Sequence, residues 1–389
     1  METGNPVVTR DYNDTITWSL DVETGKFTLS GSGDVDVVNY LPWDYCSWRI
    51  TDVEIGENVN ILTRSVFEKT RWYSEQPDGL LYADGWLLGF KGYVPDTISV
   101  IDVKKGVRGI AGSAFKHNGY ITEVNIPEKI KHIGNSAFIG CVLLERVNMN
   151  GIEEIAEFAF KNCNSLKTLS LDGVRAIAAS AFDGCTSLAA LELPGSVRTI
   201  GESAFNKCTS LTSIELPHSV DSIGENAFKG CINVREITVG DGIEVISTHA
   251  FSGIDSLKTI TLGRNVKTIN PRAFFSRKIR EMAIYSNAKT PPVLAFENRA
   301  DNVFFASTLR NEMTARAQIT VYVPVGCKAA YEEAWTGFKE IIEIETLGVD
   351  EVADKTETVE SIYNLRGDKL QQITAPGIYI VNGKKVLVK

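Results

Sequence analysis

Five of the seven cysteines stand at one fixed offset. Cys141, Cys163, Cys185, Cys208 and Cys231 each follow a phenylalanine by three residues. Such a column invites a metal site or a chain of disulfides. A metal needs ligands that converge on a point. Equivalent residues on stacked coils instead lie about 4.8 Å apart along a line, and no histidine or carboxylate accompanies these cysteines at a constant offset. Rung spacing alone permits a disulfide, but parallel Cβ directions oppose it. The column is therefore expected to be buried free thiols whose S–H groups meet turn carbonyls. Cys46 and Cys327 lie far apart in the chain and are not expected to pair.

The other reactive residues form no constellation. His117, His132, His218 and His249 fall at offsets +2, −6, −10 and −2 from the nearest repeat phenylalanine, so they share no face. There is no nucleophile elbow and no zinc-binding helix pattern, and no carboxylate pair can be placed for glycoside hydrolysis. Gly31-Ser-Gly33 reads as a glycine-rich loop, without the lysine or the strand–loop–helix setting of a phosphate cradle. Arg366-Gly367-Asp368 reads as a turn, where glycine and aspartate serve the backbone. No catalytic residue, metal or cofactor is expected, and the chain is not read as an enzyme.

What positions these residues is a repeat. Ala-Phe recurs with its phenylalanine at 115, 138, 160, 182, 205, 228, 251 and 274, in steps of 23, 22, 22, 23, 23, 23 and 23 residues. Apolar residues sit at −17, −14, −12, −8 and −5, as in Leu211, Ile214, Leu216, Val220 and Ile223 before Phe228. A weaker copy ends at Val66-Phe67. A coil of this length cannot bury its own apolar face, whereas stacked coils share one core. Leu-x-x-Ile-x-Leu gives a short strand, ended by Pro194 and Pro217 in their copies. Val-x-x-Ile reads as the return side. Leu188 to Leu193 is read as a strand on the same pattern.

The recurrent Ala-Phe-x-x-Cys coil resembles the BspA-like leucine-rich repeat family over residues 50 to about 285. The resemblance implies a mostly β, α/β-type repeat: a curved right-handed solenoid with parallel strands on its concave side. It also implies a non-enzymatic, exported surface protein, since known members are mostly surface or secreted proteins of anaerobic bacteria and some parasites, linked to adhesion. The start Met1-Glu-Thr-Gly-Asn-Pro has no basic-then-apolar leader. The resemblance favours a signal peptide already removed, with Met1 an added start.

The rest of the chain reads as caps. Residues 1–49 form an N-terminal β cap with a Thr15–Leu20 and Phe27–Leu29 hairpin. The solenoid spans 50–285. Residues 68–97 interrupt it with a second hairpin turning at Asp84-Gly85. Trp18, Trp43, Trp48, Trp72 and Trp86 cluster in this first part. They read either as an aromatic platform for a glycan or as core filling for a small cap, and core filling is favoured. Residues 286–348 form a C-terminal cap with a strand at Gln318–Pro324, a helix at Lys328–Ala334 and a strand at Ile341–Ile344. Ile279, Met282 and Ile284 keep the strand frame before it. Residues 349–360 read as a linker. The tail to residue 389, with an Asn382-Gly383 hairpin, resembles C-terminal sorting modules of secreted proteins in Gram-negative anaerobes.

A net charge of −9 and a pI near 5.2 disfavour nucleic acid and anionic membranes as partners, and no apolar run is long enough to span a bilayer. The outward strand positions then become the candidate binding face: Glu123, Asn125, Arg146, Asn148, Thr168, Ser170, Glu192, Ser213, Glu215, Glu236, Thr238, Thr259 and Thr261. This column is small, polar and mildly acidic, and lacks the aromatic anchors that dominate protein interfaces. The function expected is binding of a protein or glycan, on a host cell or matrix, in adhesion. The alternatives are a polysaccharide-acting enzyme on a solenoid and a structural spacer.

Overall fold

The computed structural model describes residues 7–35, 41–61, 63–92, 100–128, 130–149, 151–276, 281–295, 303–304, 316–344, 362–364, 369–370, 377–381 and 384–388. The linker, Arg366-Gly367-Asp368, Asn382-Gly383 and Ile279 lie outside them.

The repeat phenylalanines set the axis of the molecule. Their rings stack face to face from Phe115 to Phe274, with centroids 5.1–5.7 Å apart and planes within 11°. One turn of chain thus advances by one strand spacing. Val303-Phe304 continues the column beyond Phe274. Its ring lies 6.1 Å from Phe274, and Val303 O accepts from Phe274 N. Each turn closes through left-handed residues: the position two before the phenylalanine has φ of 53–60° at Ser113, Ser136, Phe158, Ser180, Ser203, Asn226, His249 and Arg272.

Two strand columns flank the rings. On one side, parallel in-register strands run through Val100–Asp102, Glu123–Ile126, Arg146–Met149 and Thr168–Leu169. They resume at Ser213–Leu216 and pass through Glu236–Val239, Thr259–Leu262, Met282–Ser286, Ile319–Pro324 and Glu340–Ile344. On the return side are two-residue strands such as Glu154–Ile155, Ala176–Ile177, Thr199–Ile200 and Ser222–Ile223. The result is a mostly β solenoid with few helices. The strand expected at Leu188–Leu193 does not form. Leu191 and Leu193 are only half-buried, Ala189 and Ala190 are exposed, and no ladder joins this rung to Thr168–Leu169 or Ser213–Leu216. Leu-Ala-Ala-Leu-Glu-Leu contains no β-branched residue, unlike every other outward-face strand of the array. Residues of this kind sit poorly in strands.

The N-terminal hairpin forms as read, with Ile16–Asp21 antiparallel to Lys26–Val35. The second of these strands also pairs in parallel with Asp52–Ile55 and Asn58–Ile61, so the cap delivers the first rung. Gly31-Ser-Gly33 is therefore a correction: it lies inside this strand. A Cβ on Gly31 would stand 2.0 Å from Thr15 O, so glycine is required there for backbone approach.

The second hairpin, Gly79–Ala83 with Trp86–Lys91, turns at Asp84-Gly85 with both φ positive. It is integrated into the solenoid, because Trp86-Leu87 pairs in parallel with Gly109-Ile110. Its side chains divide between two cores. Leu87 and Phe90 join the long core of the array, while Leu81, Ala83, Trp86 and Leu88 join that of the N-terminal part. At the far end, the expected strand and helix at Ile319–Pro324 and Lys328–Ala334 are present. Tyr331 and Trp335 are buried, their polar atoms bonded to Ala288 O and Pro292 O. The described tail strands, Ile362–Asn364, Lys369–Leu370, Gly377–Val381 and Lys384–Val388, pair as an antiparallel sheet.

Candidate binding face and the thiol column

Parallel in-register pairing puts like positions side by side, so the outward residues form two rows. One row runs Asp102, Asn125, Asn148, then, after the unpaired rung, Glu215, Thr238, Thr261, Tyr285, Tyr322 and Ile342. The other includes Glu123, Arg146 and Thr168, then Ser213, Glu236 and Thr259. Among the predicted residues, Glu192 is exposed on the rung without a strand, and Ser170 lies just past the Thr168–Leu169 strand. These two are not held in the rows by backbone pairing; the other eleven are.

The row segment before the gap is hydrogen-bonded within itself. Asn125 Nδ2 donates to Asp102 Oδ1 at 2.7 Å, and Asn148 Nδ2 donates to Asn125 Oδ1 at 2.6 Å. Arg146 donates twice to Glu123 Oε2, at 3.1 and 2.8 Å. The segment after the gap carries isolated hydroxyls and carboxylates and ends in an aromatic pair. Tyr285 and Tyr322 stack at 4.6 Å and 9°, both half-buried. Sequence reading stopped the column at Thr261 and found no aromatic anchor. The signal was present in the alternation around Ile284 and Val321, beyond Phe274. The face presents donors, acceptors and one apolar platform, which suits recognition of a surface. Among the described residues there is no cluster of metal-ligating side chains.

The thiol column is part of the core. Cys141, Cys163, Cys185, Cys208 and Cys231 are fully buried and unpaired. Each Sγ–H donates to the phenylalanine carbonyl of the preceding coil: Cys141 to Phe115 O at 3.1 Å, Cys163 to Phe138 O and Cys185 to Phe160 O at 3.2 Å, and Cys208 to Phe182 O and Cys231 to Phe205 O at 3.3 Å. These bonds tie neighbouring coils together. Burial pushes the Cys141, Cys185 and Cys231 thiols up to about 12 and raises Cys163 and Cys208 well above the ordinary value. Since the thiolate is the reactive form, an aromatic disulfide reagent should modify one of the seven cysteines rapidly in the native protein, the partly exposed Cys327, and all seven in denaturant. Rapid native labelling of any column cysteine would contradict this.

The rung pattern is matched by the family model for the BspA-type leucine-rich repeat region, in six copies over residues 93–188 and 175–302. The chain belongs to the BspA-type leucine-rich repeat family. Solved structures similar to it include a leucine-rich repeat protein from Bacteroides ovatus, 18% identical over 69% of this chain and 75% of that one, with a TM-score of 0.44. A T. pallidum leucine-rich repeat protein is 26% identical over 50% of this chain and 83% of its own, at 0.36. A leucine-rich cell surface protein from Faecalibacterium prausnitzii is 16% identical over 86% and 94%, also at 0.36. No curated protein matches the sequence. The match places the family's repeats on the part of the chain that builds the phenylalanine stack, the thiol column and most of the outward rows.

Proposed function

We propose that this BspA-type protein is a non-enzymatic, exported surface protein that holds a protein partner against its outward strand face, in adhesion. The observation that carries this reading is the paired segment from Ser213 to Ile344, where open hydroxyl and carboxylate positions lead to the stacked Tyr285 and Tyr322. Aromatic side chains on a rigid base supply contact area at little entropic cost and dominate measured interfaces. The segment before the gap, with its amides and charges already bonded to one another, has less to offer a partner. The tail module serves sorting or attachment in this proposal.

The test is a binding screen of the purified chain against immobilised extracellular-matrix proteins, repeated with Tyr285→Ala/Tyr322→Ala. Binding should weaken about tenfold or more in the double variant, with thermal stability reported beside it. Full affinity in the double variant would remove the strand face from the reading. Silence across the matrix panel would remove the adhesive role. Turnover of any polysaccharide in a parallel panel would restore the enzymatic alternative.

A further inference from the structure

Four of the five tryptophans at or before residue 86 are core residues: Trp18, Trp43, Trp72 and Trp86 are all buried. Trp48 is not. It is 63% exposed, and Tyr45, three residues earlier, is 53% exposed. Both belong to the 3₁₀ helix Asp44–Arg49. Residues i and i+3 of a 3₁₀ helix eclipse, about 6 Å apart along the axis, so the two rings stand on one face, close to the repeat of a pyranose chain. The base beneath them is rigid. Trp43 is fully buried with its Nε1 bonded to Val66 O, Ser47 Oγ donates to Asp44 O, and Trp18 packs edge-on to Tyr45 at 6.3 Å.

Each exposed ring carries a guanidinium. Arg10 lies over Tyr45 at 5.6 Å and Arg49 over Trp48 at 4.5 Å. Among the described residues neither forms an ion pair. In a chain of net charge −9, two arginines without an ion pair among the described residues, each over one face of a solvent-exposed ring, are a local inversion. A sugar C–H face packs on an aromatic ring, and a guanidinium fork matches a carboxylate with two parallel hydrogen bonds. We propose that Arg10, Tyr45, Trp48 and Arg49 form a binding site for uronate-bearing polysaccharide, with the sugar faces on the rings and the carboxylates on the guanidiniums. This site is separate from the outward strand face, so either can fail alone.

The experiment titrates the full chain with oligomers of galacturonate, alginate and glucuronate, following heat and tryptophan fluorescence. Methyl-esterified galacturonate oligomers, which keep the sugar and lose the charge, and polyglutamate, which keeps the charge and loses the sugar, are the comparisons. At least one uronate should bind about tenfold or more tighter than both comparisons. Trp48→Ala and the double variant Arg10→Gln/Arg49→Gln should each lose about tenfold or more, while Tyr285→Ala/Tyr322→Ala should bind as the parent does. The exposed position of Trp48 lets its variant fold, and its melting temperature checks this. Four outcomes overturn the site: no uronate binds, the ester binds equally, polyglutamate binds equally, or Trp48→Ala retains full affinity. Loss in the tyrosine variant with retention in Trp48→Ala would transfer the ligand to the strand face.

Discussion

Phe205→Ala should destabilise the protein by about 3–5 kcal/mol and split its unfolding into two transitions. The ring is fully buried between Phe182, at 5.3 Å and 10°, and Phe228, at 5.1 Å and 8°. Removing it leaves a ring-sized void between rigid neighbours. The position matters as much as the void. Stability in a solenoid is close to a sum of coil terms and nearest-neighbour interfaces, and the coil that carries Phe205 is the one whose outward strand, Leu188–Leu193, pairs with neither side. Its two interfaces rest on the return strands, where Ile200 pairs with Ile177 and Ile223, on cross-coil turn bonds such as Phe182 N to Ala204 O and Phe205 N to Ala227 O, and on the ring stack. Phe251→Ala removes an equivalent ring where the outward strand of its coil, Glu236–Val239, is paired on both sides. It should cost a similar amount yet unfold in one transition. Urea unfolding followed by circular dichroism separates the cases. Identical transition shapes for the two variants would show that the interrupted rung is no weaker than the rest.

The interruption also marks where sequence reading fails. Leu188-Ala-Ala-Leu-Glu-Leu carries the same leucine spacing as its neighbours, so the pattern places Glu192 on a strand. A ladder, however, is a property of three coils at once. The apolar spacing fixes which side chains face inward, and it does so even here, with Leu188 fully buried. It does not report whether alanines between them will hold extended backbone against two partners. The Ala-Phe spacing translated directly into stacked rings because the turn that carries each phenylalanine recurs unchanged, its N–H bonded to the alanine carbonyl of the next coil. Asp84-Gly85 was legible because a tight turn is local. Tyr285 and Tyr322 fall outside the column because the regular frame runs only to Phe274: Ala295-Phe296 repeats the dipeptide 22 residues on, but the ring that stacks next on Phe274 is that of Phe304. The early tryptophans form one group in the sequence, yet burial divides them, and only the 3₁₀ register of Asp44–Arg49 singles out Trp48.

The thiol column should make the protein sharply sensitive to alkali. The five column thiols ionise at an ordinary value of 9.0 once unfolded, while in the fold burial holds three at about 12 and two well above the ordinary value. Below pH 9 both states keep the protons, and the stability is fully present. Above it the unfolded chain releases protons that the folded chain retains, so stability falls as pH rises through the window towards 12. One pH unit above the ordinary value, each of the three thiols held at about 12 favours the unfolded state by about 1.4 kcal/mol. The three held at about 12 together give roughly 4 kcal/mol, a large share of the whole stability of an ordinary domain at about 5–15 kcal/mol, and Cys163 and Cys208 act in the same direction. Tyr331, pushed up to about 12 by burial, acts in the same direction at higher pH. The urea midpoint should therefore be level from pH 7 to 8.5 and collapse by pH 10, with thiolate absorbance appearing in the same transition. Replacing the five column cysteines by alanine should lower stability at neutral pH, through lost packing and lost bonds to the phenylalanine carbonyls, and flatten most of the alkaline slope. A parent midpoint unchanged between pH 8.5 and 10 would mean that the thiols reach solvent while the chain stays folded, and that the column is not the sealed core its hydrogen bonds describe.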